Sequence, residues 1–168
     1  MPKGLKQTSS LIVVSESIVE SGANVFTTER VDLQLNPLDN EVFVVAGVDI
    51  DLNDPELIPA TTTQARMSIS TTARTSVGGI NNTNVLAQTR IEIQDNGVTA
   101  VRGQYSSDSG PSTQLAYLGI IATNDFFLNI EGIANTAALA GNARLYGYRA
   151  KADSSIYAAL VQSELLSA

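Results

Sequence analysis

The chain has no cysteine, no histidine and no tryptophan in 168 residues. Without Cys there are no disulfides, no thiolate nucleophile and none of the usual zinc knuckles. Without His the Ser-His-Asp machinery is excluded, along with the commonest general base and most transition-metal sites. Catalysis would fall to carboxylates, Lys, Tyr, Ser or Thr, and no pair of carboxylates is marked by its spacing for glycoside hydrolysis. The chain is therefore expected not to be an enzyme. Charge is also scarce, at 16% of residues against roughly a quarter in an average domain. Ser, Thr, Asn and Gln supply the polar surface instead, which suits packing against other protein. Long apolar runs are missing too. Leu11-Ile12-Val13-Val14, preceded by Lys3 and Lys6, is too short for a signal peptide. Nothing approaches the ~18 apolar residues of a membrane span, so a single soluble domain is expected.

What charge there is lies unevenly. The net value is −7. Residues 1–56 hold ten acids against three bases (Lys3, Lys6 and Arg30), and the remainder holds seven of each. Surfaces built from the first third are expected to turn away from nucleic acid. Arg66, Arg74, Arg90, Arg102, Arg144, Arg149 and Lys151 are left as the positive charges for any such contact, which is expected to be weak or indirect.

The dominant pattern is alternation of period two, the mark of half-buried strands. Residues 11–19 read as an edge or arm strand. Residues 26–35 place Val31, Leu33 and Leu35 on one face, and residues 41–52 align Val48, Ile50 and Leu52. In 62–72, Met67 and Ile69 are expected inside, with Arg66, Ser68 and Ser70 outside. In 85–93, Val85, Ala87, Thr89, Ile91 and Ile93 face in. Asp95-Asn96-Gly97 then signals a hairpin, since Asn and Gly accept positive φ. Residues 75–84 and 106–112 read as loops. Strands resume over 115–122, 126–133 and 143–151. Only the last segment reads as a helix, started by Asp153 or Ser154 and carrying Ile156, Tyr157, Leu160, Val161 and Leu165 as an apolar stripe interrupted by Glu164. The whole is one all-β domain, an antiparallel two-sheet sandwich with a short C-terminal helix. Residues 1–25 form an N-terminal arm or edge strand, and 153–168 the helix or tail. A jelly roll and a related Greek-key sandwich both fit, and periodicity does not choose between them.

Three groups of residues are candidate sites. Asp49, Asp51, Asp54 and Glu56, with Asn53, begin like a calcium loop, and their oxygens suit a hard cation. The pattern then departs, with Asp54 where the turn needs Gly and Ala60 where a bidentate Glu belongs. The plain alternative is a solvated strand face ending in an Asp-Pro turn, with no cofactor. Arg144, Tyr146, Tyr148, Arg149 and Lys151 are the most basic stretch. Arg144, Tyr146 and Tyr148 share one strand face, Arg149 and Lys151 the other, and the stretch could touch nucleic acid or a neighbouring subunit. The helix stripe could dock on its own sheet or on a neighbour.

The segments ARLYGYRAKADSSIYAALVQSELLSA (143–168), LGIIATNDFFLNIEGI (118–133) and STTARTSVG (70–78) resemble capsid proteins of small tailless icosahedral viruses known mainly from environmental sequence. The likeness runs from about Val31 to the end. It implies a single jelly-roll coat protein that assembles with copies of itself, and with other capsid proteins, into a virion shell around the genome. One departure stands out, since the Arg/Lys-rich N-terminal arm of many such proteins is absent here. The residues alone equally suit a non-catalytic binding module, whether a carbohydrate-binding or lectin-like sandwich or a phage fibre or decoration domain.

Overall fold

A computed structural model describes residues 2–107 and 116–167. The loop expected over 106–112 and the start of the strand expected at 115 fall largely outside the described residues. Ten strands and one helix are described: β1 (Leu5–Gln7), β2 (Ile12–Val19), β3 (Thr27–Asp32), β4 (Glu41–Leu52), β5 (Thr62–Ser70), β6 (Val85–Asp95), β7 (Ala100–Ser106), β8 (Gly119–Ile121), β9 (Asp125–Ile133), β10 (Ala140–Ala152) and α1 (Ser154–Leu166). Sheet A runs β2-β10-β4-β8, with β1 continuing β2 along the same edge of β10. Sheet B runs β3-β9-β5-β6-β7. All pairings are antiparallel.

The pairs nest: β2 with β10, β3 with β9, β4 with β8, and β5 with β6. That is one long hairpin rolled up so that its arms alternate between two sheets, which defines a jelly roll. The strand β7 adds one further hairpin to the edge of sheet B. Its loop uses the expected signal, with Gly97 at φ +86 and the Asn96 side chain accepting from the Val98 and Thr99 amides at 2.9 Å.

The core lies between the sheets. Phe43, Val45 and Val48 of β4 and Leu145 of β10 meet Met67, Ile69, Ile91, Phe126, Leu128 and Ile130 of sheet B, all essentially buried. Gly147 stands where β4 kinks: the β10–β4 register shifts at Tyr146/Gly147, and a Cβ there would collide with the Phe43 ring and the Val44 carbonyl. One expectation is corrected. Ser68 and Ser70 point away from the core but are fully buried. Asn129 on the adjacent strand donates to Ser70 Oγ at 3.0 Å and accepts from Thr28 at 3.0 Å. Small side chains set among larger neighbours on a sheet face are covered by them, so alternation predicted their direction and not their exposure.

Two buried carboxylates tie the roll together. Glu20, at the end of β2, accepts from the Gly132 amide at 2.5 Å and the Leu139 amide at 2.7 Å. Glu164, the residue that interrupts the helix stripe, is 8% exposed. It accepts from the Ala122 and Thr123 amides at 2.9 and 2.8 Å. Burial pushes its carboxyl above the ordinary value of 4.5, against the opposing pull of those two donors. A raised folded value means the folded chain keeps a proton that the unfolded chain has released. The Glu164 contribution to stability is therefore greatest below 4.5 and falls as pH rises through the raised value.

Thermal melts of the wild type and the Glu164→Gln variant, taken from pH 4 to pH 7, should show the wild type losing ground to the variant as pH rises. A flat or opposite trend would contradict the assignment. Glu164→Ala strands both amides and should cost about 2–6 kcal/mol, given ~1–3 kcal/mol per buried unpaired group.

Candidate functional site

The outer face of sheet A is divided in two. Its β1 end is apolar: Leu5, Val42, Val44, Ala150 and Ala152 are buried beneath Ile156, Tyr157, Leu160 and Val161 of α1, with Tyr117, Ile120 and Tyr148 at the margin. Four residues of the expected helix stripe thus pack on their own sheet, while Leu165 is 66% exposed.

The other end is polar and open. Register sets Arg144 between Ser15 and Asp49, and Asn142 between Ser17 and Asp51. Two rows of three outward side chains result, across β2, β10 and β4. They line a shallow depression of about 620 Å³. Tyr146, next along β10, donates to Asp49 Oδ2 at 2.9 Å. Arg144 reaches the Tyr146 hydroxyl and the Ser15 hydroxyl, each at 3.4 Å. Its guanidinium is held above its ordinary pKa by the Tyr146 hydroxyl first and more weakly by Asp49. Hydroxyls, an amide, a guanidinium and two carboxylates together offer donors and acceptors in alternation. Ser15 meets a cation rather than a base, so the arrangement is suited to binding and not to nucleophilic attack.

The structure does not bring the four acids expected to share a cation together. Asp49 and Asp51 lie on this face, but β4 ends at Leu52 and the segment after it takes the other two to separate partners. Asp54 takes Arg102 of β7, Nη2 to Oδ1 at 2.6 Å. Glu56 accepts from the Thr136 amide and hydroxyl, the latter at 2.8 Å, and the amide bond is the main cause that lowers its pKa. Among the described residues no three His, Cys, Asp or Glu side chains are placed to hold one metal ion. The basic stretch also divides. Arg144 and Tyr146 belong to the polar rows, and Tyr148 borders the helix. Arg149 and Lys151 face the other way: Arg149 bonds Glu41 at 3.0 Å and the Leu33 carbonyl at 2.9 Å, and Lys151 pairs with Asp39 at 3.1 Å.

Sequence reasoning did not mark Glu20 and read Glu164 only as a break in the helix stripe, since a lone Glu carries no mark of the amides it will meet. It also did not single out the polar rows as a unit, because their assembly depends on the register of β10 against two strands far away in sequence.

These features define an antiparallel jelly-roll sandwich with one half of one outer face covered by its own helix. No protein-family model and no curated protein sequence matches the chain. Among solved structures it is similar to VP1 of chimpanzee polyomavirus in its apo form (6% identity, 88% of this chain and 99% of that one, TM-score 0.46). It is also similar to Desmodium yellow mottle tymovirus (11% identity, 92% and 96%, TM-score 0.30), and both are viral jelly-roll capsid proteins. A third is the tailspike protein gp49 of Acinetobacter baumannii bacteriophage Fri1, a capsular polysaccharide depolymerase (11% identity, 72% of this chain and 20% of that one, TM-score 0.16). At such scores, function is read from strand order and side chains instead.

If α1 belongs to its own sheet, then Leu160→Ala should lower the melting temperature of the free subunit, by an amount corresponding to about 1–3 kcal/mol for a partly buried Leu. A helix that served only a neighbouring subunit would leave that melt unchanged.

Proposed function

We propose that the chain is a capsid subunit that assembles with copies of itself into the shell of a virion. The observation that carries this reading is the lightly guarded edge of the jelly roll. β2 borders sheet A and among the described residues has a strand partner on one side only, β10. Leu11, just before it, and Val13 and Val19 within it are 61%, 50% and 60% exposed. The strand, Ile12–Val19, contains neither Lys nor Pro, and its one charge is Glu16. Natural edge strands are normally guarded by such residues, by bulges or by a cover. An edge with one charge and exposed apolar side chains is suited to contact with another chain, and repeated contacts of that kind close into symmetric assemblies. The sequence resemblance points the same way. So does the interior, which is filled by side chains rather than hollowed for a ligand.

A second reading, a sugar-binding module, is favoured by one feature, the polar depression on sheet A. The aromatic platform it would need is dispersed, however. Tyr117 and Tyr148 pack beside α1, Tyr146 is tied to Asp49, and Tyr105 lies on sheet B.

Size-exclusion chromatography with negative-stain microscopy tests the first reading, with closed particles expected at high protein concentration. Val13→Lys should raise the concentration needed for assembly about tenfold or more, as an edge lysine blocks strand-to-strand approach, while leaving the free-subunit melt in place. A wild type that stays monomeric across salt and concentration would end the self-assembling version. Hits on a glycan array, together with a strict monomer, would favour the second.

A further inference from the structure

The outer face of sheet B carries a pair of arginines that make no ion pair among the described residues, although Glu92, bonded by Gln64 at 2.6 Å, and Glu131 share that face. Arg66 on β5 and Arg90 on β6 are direct cross-strand partners, a placement in which like charges destabilise each other. Four other cations of the fold meet carboxylates, Arg30 with Asp125, Arg102 with Asp54, Arg149 with Glu41 and Lys151 with Asp39, while Arg74 and Arg144 are held by neutral groups. Arg66 and Arg90 have no carboxylate partner among the described residues. Glu131 is the register neighbour of Arg66 across β9, yet it makes no ion pair with it. Arg66 is instead held by Gln64 Oε1, at 2.9 Å from Nε and 2.6 Å from Nη2. The Arg90 Nε is buried with no hydrogen-bond partner among the described residues. A buried, charged donor left unpaired is costly.

The same row continues to an aromatic ring. Tyr105 of β7 pairs with Arg90, whose guanidinium carbon lies 4.7 Å from the ring centroid. The ring is half exposed. Two guanidiniums and a tyrosine in line, about one strand spacing apart, match the two parts of a nucleotide. The arginine fork takes oxygens of a phosphate, and an exposed ring offers a base a stacking surface.

We infer that Arg66, Arg90 and Tyr105 form a site for a phosphodiester unit of single-stranded nucleic acid. The anion site stands on the geometry alone. Naming the packaged strand as its occupant rests on the capsid reading. One subunit neutralises at most two phosphates, so its binding should be weak. At ~0.7 counterions released per contact on a single strand, the log–log salt slope should be about −1.4. An assembly presenting many copies would multiply that affinity.

The test uses the dissociated subunit and a labelled oligothymidylate, read by fluorescence anisotropy at low salt with inorganic phosphate as competitor. Arg66→Gln and Arg90→Gln should each weaken binding about tenfold and flatten the salt slope. Tyr105→Leu should weaken oligonucleotide binding by a similar factor without altering competition by phosphate. Should a glutamine variant fail to fold, Arg66→Lys and Arg90→Lys keep the charge but lose the fork, and intermediate affinity is expected. Wild-type affinity in all these variants would overturn the site. Wild type that ignores the oligonucleotide, with variants that lose self-association instead, would give the arginines to a neighbour's carboxylates and overturn the nucleotide assignment. Because binding is measured on free subunits, a chain that assembles but does not bind refutes only this site. One that binds but never assembles refutes only the shell.

Discussion

Four consecutive apolar residues in β4 govern the architecture of sheet A. Strand side chains alternate, so Val42, Phe43, Val44 and Val45 cannot all enter one core. Phe43 and Val45 point into the sandwich, while Val42 and Val44 point out of it, and all four are at most 2% exposed. Burying the outward pair requires a cover, and α1 is that cover. The helix needs a fixed docking position, which Glu164 supplies by binding the amides that follow β8. It also needs a floor wide enough to lie on. The first strand completes that floor: Leu5 extends the apolar patch, and the Gly4 carbonyl accepts from the Asp153 amide just before the helix begins. Both ends of the chain are thus recruited by one strand in its middle.

The same constraint leaves the rest of that face open. Beyond the bulge at Tyr146/Gly147, β4 returns to strict alternation, and Asp49 and Asp51 stand outward beside Arg144 and Asn142. The polar rows exist where the helix stops. Among the described residues no helix covers sheet B, and part of its outer face satisfies itself laterally through Asn129, Ser70 and Thr28, with Arg66 and Arg90 set side by side.

Alternation made the long strands legible. The bounds read for β4 coincide with those observed, Val31, Leu33 and Leu35 are buried as their spacing implied, and so are Val85, Ala87, Thr89 and Ile91 of β6, while Ile93 at the far end of that strand is only half-buried. The three-residue strands are different. β1 has too few residues to alternate, and β8 is defined only by its pairing with Phe43, Val44 and Val45. Glu164 is the instructive residue. In a helical stripe it reads as a flaw, because a sequence prices a carboxylate against water; here it is priced against two backbone amides that have no other acceptor. The acidic group after β4 fails for a related reason. Spacing along the chain holds Asp49 and Asp51 together, but past the end of β4 Asp54 meets Arg102 of β7 and Glu56 meets Thr136 in the connection between β9 and β10.

The nesting of the strands carries a consequence for synthesis. β10 lies at the middle of sheet A, between β1 and β2 on one side and β4 on the other, and Leu5 pairs with Ala152. Sheet A therefore cannot close until β10 has been made. The β6–β7 hairpin closes the shortest loop, with Asp95 paired to Ala100, and is the natural place to start, with pairing spreading through β5 to the strands more distant in sequence. Until then β2 and β4 wait with open edges, at the stage when strand edges invite pairing with other chains. The acidic excess of residues 1–56 falls on those waiting segments. Like charge on nascent chains keeps them apart, so the same residues that shape the finished surface also guard the unfinished one.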